Sequence, residues 1–411
     1  MHSGYKAALA GLFLAGIGCA LLFHGAAATA AQPSKVPFTF VTVDVPVPGA
    51  GSTAVVGINN RGDIVGSYNF FPGSGAFFPP AFLGRAFVWR RDGSFTTIPG
   101  PGPAPSSPCN PLGGNFASCY YVEARGINEQ GDVVGTYTQD VFNPNGGLFR
   151  AFVQKTGGPF TSYLFPGHDN TIFQRITDSG VIYGCFHDFG IDDSDQASMH
   201  GIINRLRPDG TIQNLDFKTE GTTMNVGGDP GAQRYAGVWY DFGTLRHRAY
   251  IIDHGQRVNF DMPGSNMTNA WDMNNAGDVV GVWGKPGDHN PIVIDGIPFH
   301  GFLRDRQGNF ISIDYPGSID THAFGINERG DIVGSYVDAS FNVHGFIARP
   351  GNHQAEMIRS ARPAFVNASL GGAHTAKNAA NVRVAMMPVV PKDTPLLPPA
   401  QAPACHHVRK K

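Results

Sequence analysis

The sequence has few charged residues and few cysteines, and both features exclude some classes of function. Only 15% of its 411 residues are charged and the formal net charge is −2, so no nucleic-acid partner is expected. The five cysteines form no CxxC pair and no zinc-type spacing. A nucleophile elbow, a phosphate-binding glycine loop and an HExxH motif are also missing. The sequence therefore contains no complete catalytic motif, and an enzyme is the less favoured interpretation.

A long apolar run occurs at the N-terminus. Lys6 precedes the apolar segment 7–23, and the small residues 28–30 suit cleavage, so residues 1–31 are predicted to be a secretory signal peptide. A retained membrane anchor is the competing interpretation, but the run is short and lacks a stop-transfer flank. We expect a secreted, extracellular or periplasmic protein with no transmembrane anchor after signal removal. In that setting Cys109 and Cys119 are candidates for a disulfide.

Glycine and proline are abundant, at 54 and 31 residues, which favours a turn-rich all-β protein. The segment GINNRGDIVGSY at 57–68 returns at 126–137 and 325–336, with weaker copies near 176–186, 224–239 and 273–283. Such a period indicates a repeat architecture. Alignment of the copies places the following residues in register: Asn59, Asn128, Thr177, Asn225, Asn274 and Asn327.

Each repeat divides into four short strands joined by turn signals, the pattern of a propeller blade. Six copies predict an all-β, six-bladed β-propeller over residues 36–351. The last copy lacks a fourth strand, and Phe38–Pro46 resembles one, so the N-terminal strand should close the last blade. A parallel β-helix is the alternative. Residues 352–411 are rich in Ala and Pro and are predicted to be a disordered tail.

The connections within a repeat differ in length. Tight turns join strand one to strand two and strand three to strand four, whereas the other two connections are long and variable. In a propeller these two long connections emerge on one face, which we call the variable-loop face and expect to carry function. The Arg-Gly-Asp tripeptides at 61–63 and 329–331 lie in tight turns, where Gly-Asp is interpreted as a turn requirement.

Both halves of the repeat resemble bacterial extracellular HAF-repeat proteins. Their repeat carries His-Ala-Phe or a variant, here Arg85-Ala86-Phe87 or His300-Gly301-Phe302, and a Gly-Ile-Asn-x-x-Gly-x-Val-Val-Gly segment. The resemblance runs from about residue 38 to residue 351. It implies an exported repeat protein and transfers no catalytic residue.

One candidate site follows the repeat. An aromatic residue ends strand two and a basic residue opens strand three in each copy. Structural bonds between these bases and following aspartates are one interpretation; a cationic and aromatic binding ring on the variable-loop face is the other. The candidate binding residues are Tyr68, Arg85, Tyr137, Arg150, His200, Trp239, Arg248, Trp283, His300, Tyr336 and His344.

A second candidate breaks the repeat. Repeat three concentrates carboxylates and imidazoles that could hold a cation, with calcium the best match to the oxygen ligands, although no calcium-loop consensus is present. An acidic solvated loop is the alternative. The candidate metal ligands are Asp188, Asp192, Asp193, Asp195, His168 and His187.

These observations favour an exported binding module at the cell envelope or outside the cell that recognises a carbohydrate or another polymer. A polysaccharide or a cell-surface protein would be its partner. A propeller hydrolase or lyase that uses the repeat-three cluster, with or without calcium, is the alternative. A protein–protein scaffold is the third interpretation.

Overall fold

The computed structural model describes residues 38–69, 84–98, 100, 121–138, 149–187, 199–215, 223–285 and 299–351. The chain divides into two units, residues 1–369 and 370–411, and all described residues belong to the first. The predicted signal peptide, the predicted tail and the Cys109–Cys119 pair lie outside the described residues. Among the described residues, no helix is long and apolar enough to cross a bilayer.

The described residues form 24 strands. Repeat one contains β2 (Ser52–Ile58), β3 (Ile64–Asn69), β4 (Arg85–Trp89) and β5 (Phe95–Ile98). Repeat two contains β6 (Tyr121–Ile127), β7 (Val133–Thr138), β8 (Phe149–Gln154) and β9 (Phe160–Tyr163). Repeat three contains β10 (Asn170–Ile176), β11 (Val181–His187), β12 (His200–Leu206) and β13 (Ile212–Asn214).

Repeat four contains β14 (Thr223–Asp229), β15 (Arg234–Asp241), β16 (Arg246–Asp253) and β17 (Gln256–Phe260). Repeat five contains β18 (Met267–Met273), β19 (Val279–Gly284), β20 (His300–Arg304) and β21 (Phe310–Ile313). Repeat six contains β22 (Asp320–Ile326), β23 (Ile332–Val337) and β24 (Val343–Pro350). The remaining strand, β1 (Phe38–Val43), pairs antiparallel with β24, as the repeat pattern predicts.

The strands form an all-β propeller arrangement in which each repeat is an antiparallel meander. Repeats two to five are separate four-stranded sheets, so the structure shows four separate blades and not the predicted six. The strands of repeats one and six belong to one eight-stranded sheet, because the single parallel pair Ser52–Val343 joins β2 to β24. The parallel β-helix alternative is wrong, since the strands within every repeat run antiparallel.

The first strand of each repeat, which we call its inner strand, contacts the inner strand of the next repeat, and β22 contacts β2. The inner strands therefore form a closed circle. Apolar clusters lie between neighbouring sheets; one joins Val65 and Val88 of repeat one to Val122 and Phe152 of repeat two. Another packs Val43, the last residue of β1, against Val55 and Phe87 of repeat one.

The second strand of each repeat contains a glycine that the packing requires, which explains why this glycine recurs in the sequence. An added Cβ at Gly66 would lie 1.9 Å from the carbonyl oxygen of Ala54 on the inner strand, and at Gly334 it would lie 1.8 Å from that of His322. This approach accompanies a β-bulge in every inner strand, in repeat one between Val55 and Gly57. Bulges re-aim the side chain of the extra residue, and here the extra residues Arg125, Gln174 and Trp271 contact one another between repeats.

The register corrects the alignment of repeat four. Thr223 pairs with Trp239 as Thr53 pairs with Tyr68, so the structural counterpart of Asn59 is Asp229, not Asn225. Asn225 instead lies within the inner strand, where its side chain accepts a hydrogen bond from the Tyr250 hydroxyl at 2.7 Å.

The repeated asparagine links each turn to the next repeat. The Asn59 amide donates to the Asp63 carboxylate and to the carbonyl of Asn128, both at 3.1 Å. Its side-chain oxygen accepts from the backbone N–H groups of Gly62 and Asp63. Equivalent interrepeat bonds run from Asn128 to Thr177, from Asn274 to Asn327 and from Asn327 to Asn59. Only a carboxamide can both donate and accept in this way.

The asparagine bonds form a first series of hydrogen bonds between repeats, which we call the first ladder. The residue after each asparagine forms another series, the second ladder. The backbone N–H of Glu328 donates to the Asn60 side chain at 2.8 Å, and that of Asn60 donates to the Glu129 carboxylate at 2.5 Å. Glu129 continues the series to Asp178. Repeat four places Pro230 at this position, which has neither an N–H donor nor a polar side chain. The second ladder therefore stops at repeat four. The first ladder ends at repeat three, where Thr177 has no side-chain amide to donate to the next repeat.

Replacing Asn59 with Ala should lower the free energy of unfolding by about 3 kcal/mol, because buried turn and interrepeat bonds are lost together. Asn275→Ala is the matched control. Its side chain occupies the second-ladder position, but the preceding repeat offers Pro230 and no N–H. Chemical denaturation should show little change for Asn275→Ala; equal losses in the two variants would contradict the role of the ladder.

Candidate functional site

The predicted aromatic and basic residues are direct cross-strand partners in every repeat. Strand pairing joins Tyr68 to Arg85, Tyr137 to Arg150, Phe186 to His200, Trp239 to Arg248, Trp283 to His300 and Tyr336 to His344. Both members lie at the ends of their strands next to the variable-loop face. In repeats five and six the two rings are 4.9 and 5.2 Å apart.

The two members differ in exposure. Tyr68, Tyr137 and Tyr336 are buried. Their hydroxyls bond to hydroxyl groups on fourth strands, with 2.7 Å between Tyr137 and Ser162. These tyrosines thus hold their own sheets together, whereas all six basic residues are partly exposed. Trp239 and Trp283 are partly exposed as well, so repeats four and five offer accessible aromatic surface.

Carboxylates accompany the basic residue in repeats four to six. Arg248 forms a bidentate contact with the two carboxylate oxygens of Asp261, 2.5 Å at its shortest, and lies 3.8 Å from Asp241. His300 contacts Asp314 at 2.9 Å. The contact with Asp241 is of the kind that the structural interpretation predicts, whereas Asp261 and Asp314 lie at the ends of fourth strands and do not follow the aromatic residue.

In repeat six the same bond fastens the N-terminal segment. His344 lies 2.9 Å from Asp44, which follows β1, and 3.5 Å from Asp338. The hydrogen bond to Asp44 raises the pKa of His344. Hydrogen bonds from Asn342 lower the pKa of Asp338 to about 2. A protonated His344 would therefore lie between two carboxylates and strengthen the attachment of the N-terminal segment to repeat six.

Repeat three is described only in part. Asp188, Asp192, Asp193 and Asp195 lie outside the described residues, as does the side chain of His187. His168 is described, and its ring stacks on Phe186 at 3.8 Å. No group of three or more potential metal-ligating side chains occurs in the part of the chain that the structure describes. Calcium binding here remains a prediction. Cys185 of the same repeat is buried, as expected for a core-strand cysteine.

The Arg-Gly-Asp tripeptides are turn elements. Asp63 and Asp331 are buried. Asp63 accepts a hydrogen bond from the backbone N–H of Arg91 in the neighbouring tight turn, at 3.0 Å, and Asp132 accepts the same bond from Thr156. The aspartate therefore joins the two tight turns of one repeat, which explains why Gly-Asp recurs.

The interior of the ring holds a polar network that the sequence interpretation missed. Arg125, at the bulge of repeat two, forms an ion pair with buried Glu123 at 2.7 Å and donates to Gln174 at 2.7 Å. Gln174 in turn donates to the carbonyl of Trp271, at 3.4 Å, across from repeat three to repeat five. Burial, with the Glu123 carboxylate adding to it, raises the pKa of Tyr121. Contacts between non-adjacent repeats show that these side chains fill the axis.

One ion pair crosses the axis. The inner-strand position before Ile127, occupied by Gly126, is glycine in four repeats but Arg175 in repeat three and Asp272 in repeat five. These two residues form a salt bridge. Arg175 also donates to the carbonyl of Ile326, and the Ile326 N–H donates to Asp272 at 3.0 Å. Burial raises the pKa of Asp272 to about 6, against the opposing effect of Arg175.

Exposed apolar side chains mark two hairpins on the variable-loop face. Phe242 and Leu245 lie on the β15–β16 hairpin, and Phe341 lies on the β23–β24 hairpin with 67% of its surface exposed. The turn at 338–342 has the hydrogen bonds of the turn at 305–309, with Phe341 in place of Gly308. Phe341 adopts φ 64°, a left-handed conformation that disfavours side chains.

No protein-family model matches the chain, and no curated protein matches it. Similar solved structures include a gluconolactonase from Xanthomonas campestris, with 12% identity over 76% of this chain and 89% of that chain and a TM-score of 0.39. The β-propeller domain of a Pyrococcus furiosus protease has 12% identity, coverages of 74% and 79%, and a TM-score of 0.37. The Aleuria aurantia lectin has 10% identity, coverages of 76% and 99%, and a TM-score of 0.38. Similarities this low carry no argument about function.

Arg175→Met should destabilise the protein by about 3–5 kcal/mol near neutral pH, because the buried Asp272 carboxylate loses its counter-charge. Asp272 has a folded-state pKa raised above its unfolded value, so its contribution to stability is complete at acid pH and declines as pH rises through about 6. The stability deficit of the variant should therefore shrink on acidification, as measured by denaturation across the acid range.

The control is the double variant Arg175→Gly with Asp272→Gly, which restores the residue of the other repeats. The double variant should lose less unfolding free energy than the sum of the losses of the two single glycine variants. Additive losses would show that Arg175 and Asp272 are not coupled.

Phe341→Gly should leave thermal stability unchanged or raise it slightly, because glycine adopts the left-handed conformation without the cost of a Cβ. Gly308→Phe, the reverse change in the matching turn, should lower stability by about 1 kcal/mol. Calorimetry of both variants tests this; a marked fall in the melting temperature of Phe341→Gly would show that the exposed ring stabilises the fold.

Proposed function

We propose that the protein is an exported binding module that recognises a polymer, in the first place a polysaccharide, on its variable-loop face. The single observation that carries the proposal is the aromatic–basic pair, which occupies the same strand ends in all six repeats. A circular array of similar groups suits a ligand that is itself repetitive. Aromatic rings pack against sugar faces, and basic groups bind their polar substituents.

The accessible aromatic groups would be the primary contacts. Trp239 and Trp283 present partly exposed rings, and the hairpin carrying Phe341 projects a third on the same face. The strained backbone at Phe341 supports a role for its side chain, since such conformations cluster at functional sites. Buried Tyr68, Tyr137 and Tyr336 would position the basic residues beside them.

We also infer that each repeat corresponds to one blade, giving six. The two halves of the eight-stranded sheet share one residue pair only, Ser52–Val343, and each half has the four-stranded order of the separate sheets. The same repeat supports assignment to the HAF-repeat proteins. Export follows from the predicted signal peptide.

The proposal is tested by passing the purified chain over immobilised neutral and acidic polysaccharides and measuring both retention and released sugar. Retention without released sugar is expected. Trp283→Ala and Phe341→Gly should each reduce retention at least fivefold, because each removes an accessible ring, while Val258→Ala, an exposed substitution on the outer strand β17, should not.

Absence of retention on every polysaccharide would overturn the proposal. Released sugar would overturn the non-catalytic part and favour the hydrolase or lyase alternative. Thermal melting of each variant confirms that the lost retention does not come from unfolding.

A further inference from the structure

The basic residue that opens strand three does not have the same surroundings in every repeat. In repeats four, five and six the residue opposite it, at the end of strand four, is an aspartate: Asp261, Asp314 and Asp44 respectively. All three contact their basic partner, as shown by the pairs with Arg248, His300 and His344. In these repeats a carboxylate of the same chain therefore neutralises the basic side chain.

Repeat two departs from this pattern. Ala151 pairs with Tyr163, so the residue opposite Arg150 is Leu164, which has no charge. Arg150 is partly exposed and forms no ion pair with any described carboxylate. Its partner across strands two and three, Tyr137, is fixed by the hydrogen bond to Ser162. Arg150 is therefore a guanidinium placed at a rigid strand end without the local counter-charge of its counterparts.

We infer that Arg150 forms a subsite for the carboxylate groups of an acidic polysaccharide. The inference rests on the proposed function and specifies its ligand class. The planar guanidinium matches a carboxylate in a two-pronged hydrogen bond. Asp261 already makes this contact with Arg248 within the chain, since Nε donates to Oδ1 and Nη2 donates to Oδ2.

Polygalacturonate and its methyl-esterified form provide matched probes, since they share a backbone and differ in free carboxylates. The wild-type chain should bind polygalacturonate at least tenfold more tightly, with the difference shrinking as salt is raised. Arg150→Gln should weaken binding to polygalacturonate at least fivefold and weaken binding to the ester less, because the ester lacks the free carboxylates that the guanidinium would bind. Arg306→Gln, which removes the same charge from an exposed tight turn on the opposite face, is the control and should change neither.

A second variant tests the missing counter-charge directly. Leu164→Asp installs the aspartate of repeats four to six beside Arg150 and should weaken polygalacturonate binding as much as Arg150→Gln does. Leu164→Asn, similar in size but uncharged, should weaken it less. Melting temperatures of all four variants control for folding.

The outcomes separate this inference from the proposed function. Equal binding of both polymers, unaffected by Arg150→Gln, would overturn the carboxylate subsite and leave polymer recognition standing. Failure of the chain to bind any polysaccharide would overturn both. A selective loss of acidic-polymer binding in Arg150→Gln and Leu164→Asp supports the subsite.

Discussion

The arrangement depends on one buried carboxamide per turn. In repeats one, two, five and six an asparagine closes its own turn and donates to the backbone of the next repeat. Because the same side chain serves both roles, the turn cannot form its full set of hydrogen bonds without the neighbouring repeat in place. Local turn geometry and interrepeat spacing are thus set together. This fixes the angle at which adjacent sheets meet and allows the apolar clusters between them to close.

Much of the fold could be predicted because each element has a local cause. Gly66 and its counterparts admit the inner-strand carbonyl, and Asp63 joins two turns of a repeat, so both recur in the sequence. Repeat four was misaligned because Asn225 lies next to a methionine, as Asn274 does, and imitates the turn asparagine. The bridge between Ser52 and Val343 could not be foreseen, since no residue pattern specifies a single pair at the ring closure.

The candidate sites could also be predicted only in part from the sequence. Pairing of Tyr137 with Arg150 follows from strand register, so the sequence predicts it, but the sequence does not show that the tyrosine is buried and the arginine accessible. The axial network was missed because its members, such as Arg125 and Gln174, occupy bulge positions that vary between repeats. One signal was present: charged residues of opposite sign replace glycine at one repeat position in two repeats only.

That replacement has a structural logic. The asparagine ladder stops where repeat three has Thr177 and repeat four has Asp229, neither of which carries an amide. No turn bond of this kind therefore connects repeat three through repeat four to repeat five. Arg175 and Asp272 connect repeats three and five directly across the axis, and both also bind the backbone of Ile326 in repeat six. Because the turns from repeat three to repeat five lack these hydrogen bonds, the buried ion pair supplies a connection there despite its desolvation cost. Departures from the repeat in this protein are thus of two kinds: those that repair the ring at its centre, and those, such as Leu164 opposite Arg150, that leave a group on the surface available to a ligand.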